Sequence, residues 1–157
     1  MSATVSGEVI VVTLPDGKQL SFPKGVTVAD VVRSIGPRLA KDAVSALADD
    51  QIVDLGRRIE SPCRLRILTR KDPEALEVLR HSTAHLTAHA VKELFPQVQI
   101  GIGPVVEEGY YYDFLRAEPF TPEDLEKIEK RMGEIAERDV PIERLEIPKE
   151  EALRIFE

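Results

Sequence analysis

The chain has 157 residues, 43% apolar, 31% charged and 5% aromatic, which is room for one ordinary domain or two small ones. One cysteine, Cys63, excludes an internal disulfide and a cysteine-based zinc cage, and no apolar run approaches the roughly 20 residues that cross a bilayer, so a reducing, cytoplasmic setting without a membrane partner is expected. The net charge of −7 is uneven, with ten Lys/Arg against eight Asp/Glu in residues 1–70 and eleven against twenty in residues 71–157, so the chain alone should bind a phosphate backbone only weakly.

The first elements read as short strands around one helix. Val9 to Leu14 is rich in β-branched residues, Pro15-Asp16-Gly17 is turn chemistry, and Gln19 to Phe22 alternates, which predicts a hairpin. Thr27 can cap a helix whose Val28, Val31, Val32 and Ile35 follow the i, i+3, i+4, i+7 rule, and Gly36-Pro37 is expected to end it. Ala43 to Leu47, Ile52 to Leu55 and Leu65 to Leu68 are further strand candidates, with a turn at Asp49-Asp50. A hairpin, a helix and more strands form the pattern of a β-grasp, or ubiquitin-like, module over residues 1–69.

Residues 70–157 read as a second, α/β region. Asp72 suits an N-cap and Pro73 the first helical position, opening a long helix that can run through Leu94 before Pro96 forbids it. Val98 to Ile102 and Tyr110 to Phe114 are expected to pair as a hairpin. Thr121-Pro122-Glu123-Asp124 starts another helix, to about Arg138. Ile142 to Ile147 alternates as a half-buried strand does, and Pro148 opens a last helix that stops with Leu153, Ile155 and Phe156 lacking an obvious place to bury, an ending that suggests a fragment.

All three histidines, His81, His85 and His89, fall on the long helix. Each step of four advances about 400°, so neighbours in the series share a face. Two imidazoles so spaced can grip a metal, hold a water or position a substrate hydroxyl, or they can line a half-buried face and satisfy one another. A metalloprotease helix needs Glu after the first His, where Ser82 stands, and structural zinc needs more ligands than the chain supplies, so no metal is expected. Cys63 reads as a small apolar strand residue. Strand alternation puts Tyr110 and Tyr112 on one side and Tyr111 on the other, with packing and a pocket-facing role both open.

The segments His81-Ser82-Thr83-Ala84-His85-Leu86, Ile102-Gly103-Pro104-Val105 and Gly109-Tyr110-Tyr111-Tyr112-Asp113-Phe114 closely resemble the N-terminal editing domain of bacterial threonyl-tRNA synthetases. Leu14-Pro15-Asp16-Gly17 and Gly25-Val26-Thr27 resemble the TGS domain that precedes it. The resemblance implies a β-grasp TGS domain at 1–69 and, at 70–157, the first part of an α/β domain that hydrolyses seryl-tRNA(Thr). It places His81 and His85 in the editing pocket as catalytic residues and Tyr112 at its wall as a substrate-binding residue, and gives His89 no role. The family pocket is completed by a Cys-x-x-x-His segment, whereas here no cysteine follows Cys63 and no histidine follows His89. The ligase core that uses ATP, magnesium and zinc is not among these residues, so no cofactor is expected in this chain. The resemblance further implies tRNA(Thr) as partner of a longer parent and a homodimer formed through the parent's other domains. The alternatives are a self-sufficient TGS-type binding or regulatory module without catalysis, and a free-standing editing hydrolase.

Overall fold

The computed structural model describes residues 8–142 and 145–156. Strand β1 (Val9–Thr13) pairs antiparallel with β2 (Gln19–Pro23), across a turn in which Gly17 takes a φ of 84° and Asp16 accepts from the Lys18 amide at 2.9 Å. The expected hairpin is present. A two-residue strand, β3 (Val26–Thr27), leads into α1 (Val28–Ile35), where the Thr27 hydroxyl accepts from the Asp30 amide at 3.1 Å and the Asp30 carboxylate accepts from the Thr27 amide at 3.3 Å. This reciprocal cap satisfies two helix-end donors.

Gly36-Pro37 ends α1 as expected, but a further helix that the sequence reading did not include follows at once. Gly36 is extended and closes α1, but Pro37 opens a second helix, α2 (Pro37–Asp42), because its fixed φ and missing N–H suit a first turn as well as they forbid an interior one. After it come β4 (Ala43–Ala48), β5 (Gln51–Val53), β6 (Arg58–Ile59) and β7 (Cys63–Thr69). The β4–β5 turn places Asp49 and Asp50 at φ of 48° and 66°, left-handed conformations that short polar side chains tolerate. Asp49 accepts from the Arg64 amide at 2.8 Å, and its own amide donates to the Arg64 carbonyl at 2.9 Å, tying the turn to β7.

Five strands form one sheet in the order β2-β1-β7-β4-β5, parallel between β1 and β7 and antiparallel elsewhere, while β3 and β6 pair apart. Val28, Val31 and Val32 of α1 bury against Ile10, Val12, Ala46 and Leu65 of the sheet. The alternation that places every second strand residue on that face is what makes a core from strands this short.

Helix α3 (Pro73–Leu94) follows, in contact with β4 and β7. Asp72 occupies its N-cap position but does not cap it. Its carboxylate turns back to accept from the Thr69 amide at 2.7 Å and the Thr69 hydroxyl at 2.8 Å, and pairs with Arg66 at 3.2 Å, since the tight turn offers those donors first. The expected hairpin beyond α3 exists as two short ladders: β8 (Gln99–Ile100) with β11 (Phe114–Leu115), and β9 (Val105–Val106) with β10 (Gly109–Tyr110). The register slips by one residue between them, which interrupts the pairing.

Helix α4 (Pro122–Glu137) is capped reciprocally by Thr121 and Asp124 and packs on α3 through Ala90, Val91, Ile128 and Ile135. Beside this core the Arg116 guanidinium lies 4.7 Å from the ring centres of both Phe95 and Phe120 and 3.0 Å from the Asp124 carboxylate. Helix α5 (Lys149–Phe156) is present as expected. The strand expected over Ile142 to Ile147 is not found: residues 143–144 lie outside the described residues, and positions 142 and 145–147 are irregular, Ile142 being 97% exposed. Alternation marks a face but supplies no partner strand, and pairing is what stabilises a strand.

Leu65 is 1% exposed in the sheet core, so Leu65→Ala should cost about 2–5 kcal/mol in denaturant unfolding of the chain. The Arg116 guanidinium, then the Thr121 amide, hold the Asp124 carboxyl below its ordinary range. The folded state therefore favours the ionised form, and this stabilisation is complete above the unfolded value of about 4 and fades as pH falls through the lower folded value. Asp124→Asn should weaken stability near neutrality and flatten its loss in acid, as unfolding curves across that range will show.

Candidate functional site

The middle of α3 has two unlike faces. Ala84, Ala88 and Ala90 are buried, so the helix backbone approaches its neighbours closely, and His81 and His85 stand on the outer side, both exposed. Their Nε2 atoms meet at 2.9 Å, with ring centres 4.7 Å apart and planes tilted by 53°. Such a contact needs one Nε2 that carries a proton and one that offers a lone pair, so the two rings hold opposite tautomeric roles. A water or hydroxyl that displaces this contact would meet a donor on one ring and an acceptor on the other.

His89 does not join them. Its Nε2 lies 3.2 Å from Glu93, which also takes two hydrogen bonds from Arg138 of the α4 C-cap, at 2.7 and 3.0 Å, and pairs with Arg131 at 3.7 Å. These contacts hold α3 to α4, and the Arg138 hydrogen bonds keep the Glu93 carboxyl below its ordinary range. Among the described residues no group of three His, Cys, Asp or Glu side chains comes together to hold a metal. Cys63 is half-buried at the start of β7, and burial, then the Asp49 charge, pushes its thiol up, away from the thiolate a nucleophile needs.

The tyrosine alternation is present: Tyr110 and Tyr112 are half-buried while Tyr111 is exposed. Tyr112 stacks on Phe114 with ring centres 5.0 Å apart and lies over Gly103, where any Cβ would collide with its ring. No hydrogen bond or ring contact among the described residues joins it to His81 or His85. The tyrosine that does reach α3 is Tyr110, whose hydroxyl lies 2.8 Å from Thr87 Oγ1. Because Thr87 donates to the Thr83 carbonyl at 2.9 Å, the Tyr110 hydroxyl is the donor. Arg80 adds a second tether, donating to the Glu107 carbonyl at 2.6 Å. Together they fix the β9–β10 turn against the helix segment that carries the histidines.

Arg80, Thr87 and Tyr110 escape sequence reasoning as a set, because the turn that unites them with α3 lies some twenty residues away in the chain. The only local signal is the Thr83, Thr87 pair at i, i+4, in the row beside the histidines. Tyr110→Phe should lower stability by about 1 kcal/mol through the lost hydrogen bond, whereas Tyr111→Phe, at a site 52% exposed, should change it by less than about 0.5 kcal/mol. Paired denaturant titrations will distinguish the two.

Residues 9–69 match the family model described as the TGS domain. The chain is 55% identical over 147 residues to the threonine–tRNA ligase of Methylibium petroleiphilum, covering 94% of this chain and 23% of that protein. It is 56% identical over 145 residues to that of Aromatoleum aromaticum, and 51% identical over 148 residues to that of Symbiobacterium thermophilum, again covering 23% of each. The chain thus spans less than a quarter of the length of these relatives. A TGS domain at residues 9–69, within a similarity that runs along nearly the whole chain, makes it a TGS-bearing segment of the bacterial threonine–tRNA ligase family.

Proposed function

We propose that this chain serves the hydrolytic editing of seryl-tRNA(Thr) within a threonine–tRNA ligase, with residues 1–69 as a β-grasp TGS domain and residues 70–157 as the first part of the editing domain. The parallel pairing of β1 with β7 at the middle of the sheet supports the β-grasp reading. The single observation that carries the catalytic reading is the His81–His85 contact, two exposed imidazoles converging at 2.9 Å on a helix held rigid from behind. Serine lacks only the methyl of threonine, and a pocket sized for threonine discriminates by about 1–3 kcal/mol, so a second, hydrolytic site is needed.

In this reading substrate opens the His81–His85 contact, the accepting Nε2 takes a proton from water as the oxygen attacks the ester carbonyl, and the donating Nε2 gives its proton to the ribose oxygen as the ester C–O bond breaks. The products are serine and free tRNA. The pocket is completed by the Cys-x-x-x-His segment that the family resemblance implies, and Tyr112 is assigned to its wall on that resemblance alone. The ligase step, with ATP, magnesium and zinc, belongs to the rest of a longer protein, acting on tRNA(Thr) in a reducing, cytoplasmic setting. One observation favours a second reading, a TGS-type binding or regulatory module: the two histidines already satisfy each other.

Deacylation of seryl-tRNA(Thr) by a protein extended through the Cys-x-x-x-His segment separates the two readings. His81→Ala and His85→Ala should each slow hydrolysis by about 10²–10⁴-fold, and the double variant should be no worse than the slower single one. Unchanged rates in both would leave the histidines structural and favour the binding module.

A further inference from the structure

A helical side chain can meet the residue four before it or the residue four after it, and the histidines of α3 divide between the two choices. His85 turns back to His81, with the Nε2 atoms 2.9 Å apart, while His89 turns forward to Glu93 at 3.2 Å. The three rings therefore form one pair and one ion-paired neighbour rather than a continuous row. The pair stands on fixed backbone. Ala84 and Ala88 anchor the same turns in the interior, and the Thr83 and Thr87 hydroxyls donate to the Leu79 and Thr83 carbonyls at 2.7 and 2.9 Å.

The distance between two ligand nitrogens fixes the angle they subtend at an ion they share. With metal–nitrogen bonds of about 2.0–2.1 Å, ligands at a right angle lie about 2.9 Å apart and ligands at the tetrahedral angle about 3.3–3.4 Å apart. The observed 2.9 Å is the right-angle bite, which suits adjacent corners of a square-planar or tetragonal ion such as Cu²⁺ or Ni²⁺ better than tetrahedral zinc. Binding needs no net loss of a proton. The proton that bridges the two Nε2 atoms passes through water to Nδ1 of the ring that carries it, and small rotations of the two exposed rings then aim both Nε2 lone pairs at one point. Among the described residues no third His, Cys, Asp or Glu joins the pair, so the remaining corners are left to water. A closed structural site needs more ligands than this chain brings together, whereas an open site is held by two.

We infer that His81 and His85 form a two-imidazole chelate for a tetragonal divalent metal ion, with Cu²⁺ bound more tightly than Ni²⁺ as the general order of such affinities requires. His89 is not a ligand, because its ring is committed to Glu93. The metal site goes beyond the hydrolytic reading and does not rest on it. The two uses of the pair exclude each other, since a bound ion takes the lone pair that hydrolysis needs for water.

The test is titration of the 157-residue chain with copper(II) or nickel(II) chloride at neutral pH, read by calorimetry and, for copper, by electron paramagnetic resonance. One ion should bind per chain, and the copper spectrum should carry the splitting of two imidazole nitrogens. His81→Ala and His85→Ala should each weaken binding by at least the roughly 10- to 100-fold that losing a ligand's own hydrogen-bond partner costs. His89→Ala should bind nearly as the wild type does. All three sites are exposed and alanine is the best helix former, so far-UV circular dichroism should stay unchanged and separate ligand loss from unfolding. The proposal is overturned if the wild type binds neither ion, or if either His81→Ala or His85→Ala binds as the wild type does. It is overturned equally if His89→Ala loses as much as His81→Ala, which would place the ion elsewhere on the helix. No tRNA or ester enters these measurements, so failure here leaves the editing reading standing, and failure of deacylation leaves the metal site standing.

Discussion

The carboxylate of Asp72 is the point on which the arrangement turns. It receives the Thr69 amide, the Thr69 hydroxyl and Arg66, in that order of effect, and these hold its carboxyl below the ordinary range. Arg66 also binds Glu74 in the first turn of α3. One ionised group thus fastens the last strand of the sheet to the start of the long helix. The direction of α3, the position of the histidines along it and the display of Arg70 and Lys71 beside α2 all follow from that clasp.

Helix α3 then divides its work by residue size. Small alanines on the inner side bring its backbone close to its neighbours, and the wider aromatic side chains Phe95, Phe114 and Phe120 fill the space around Arg116 at its far end. A guanidinium between two rings and against a carboxylate is retained where an ammonium would fit less well, because the planar group stacks and donates at once. The polar side is left to the histidines and to the Thr87–Tyr110 and Arg80–Glu107 tethers. A pair of imidazoles on such a surface has its geometry set by the backbone rather than by a loop, which is the condition for positioning a water or hydroxyl.

Charge follows the same division. In residues 71–157 arginines such as Arg116, Arg131 and Arg138 are drawn into ion pairs that join α3, α4 and the segment between them. In the first region several cations are left over, with Arg38, Arg70 and Lys71 around one cleft. Net charge alone describes the chain as uniformly acidic, while the ion pairs show that its unpaired cations are concentrated in the first region.

Much of this was legible in the amino-acid sequence, and for local reasons. Thr27 and Thr121 cap their helices because a hydroxyl followed three residues later by an acid satisfies amides within the same turn, and the 9–22 hairpin forms because turn chemistry separates two β-rich runs. The His81, His85 spacing needs only the helical period to become a contact. What the sequence did not reveal depended on partners elsewhere: Asp72 gave its carboxylate to Thr69 and Arg66 instead of to the helix, Pro37 began a further helix directly after the expected stop, and positions 142 and 145–147 found no strand to pair with. Only the tertiary structure could decide that Glu93 takes Arg131 and Arg138 from α4, that the Tyr110 hydroxyl meets Thr87 of α3, and that Arg38 meets Arg70 and Lys71. The period of a segment determines which side chains share a face, but what stands opposite that face is set by chain folded back from far away.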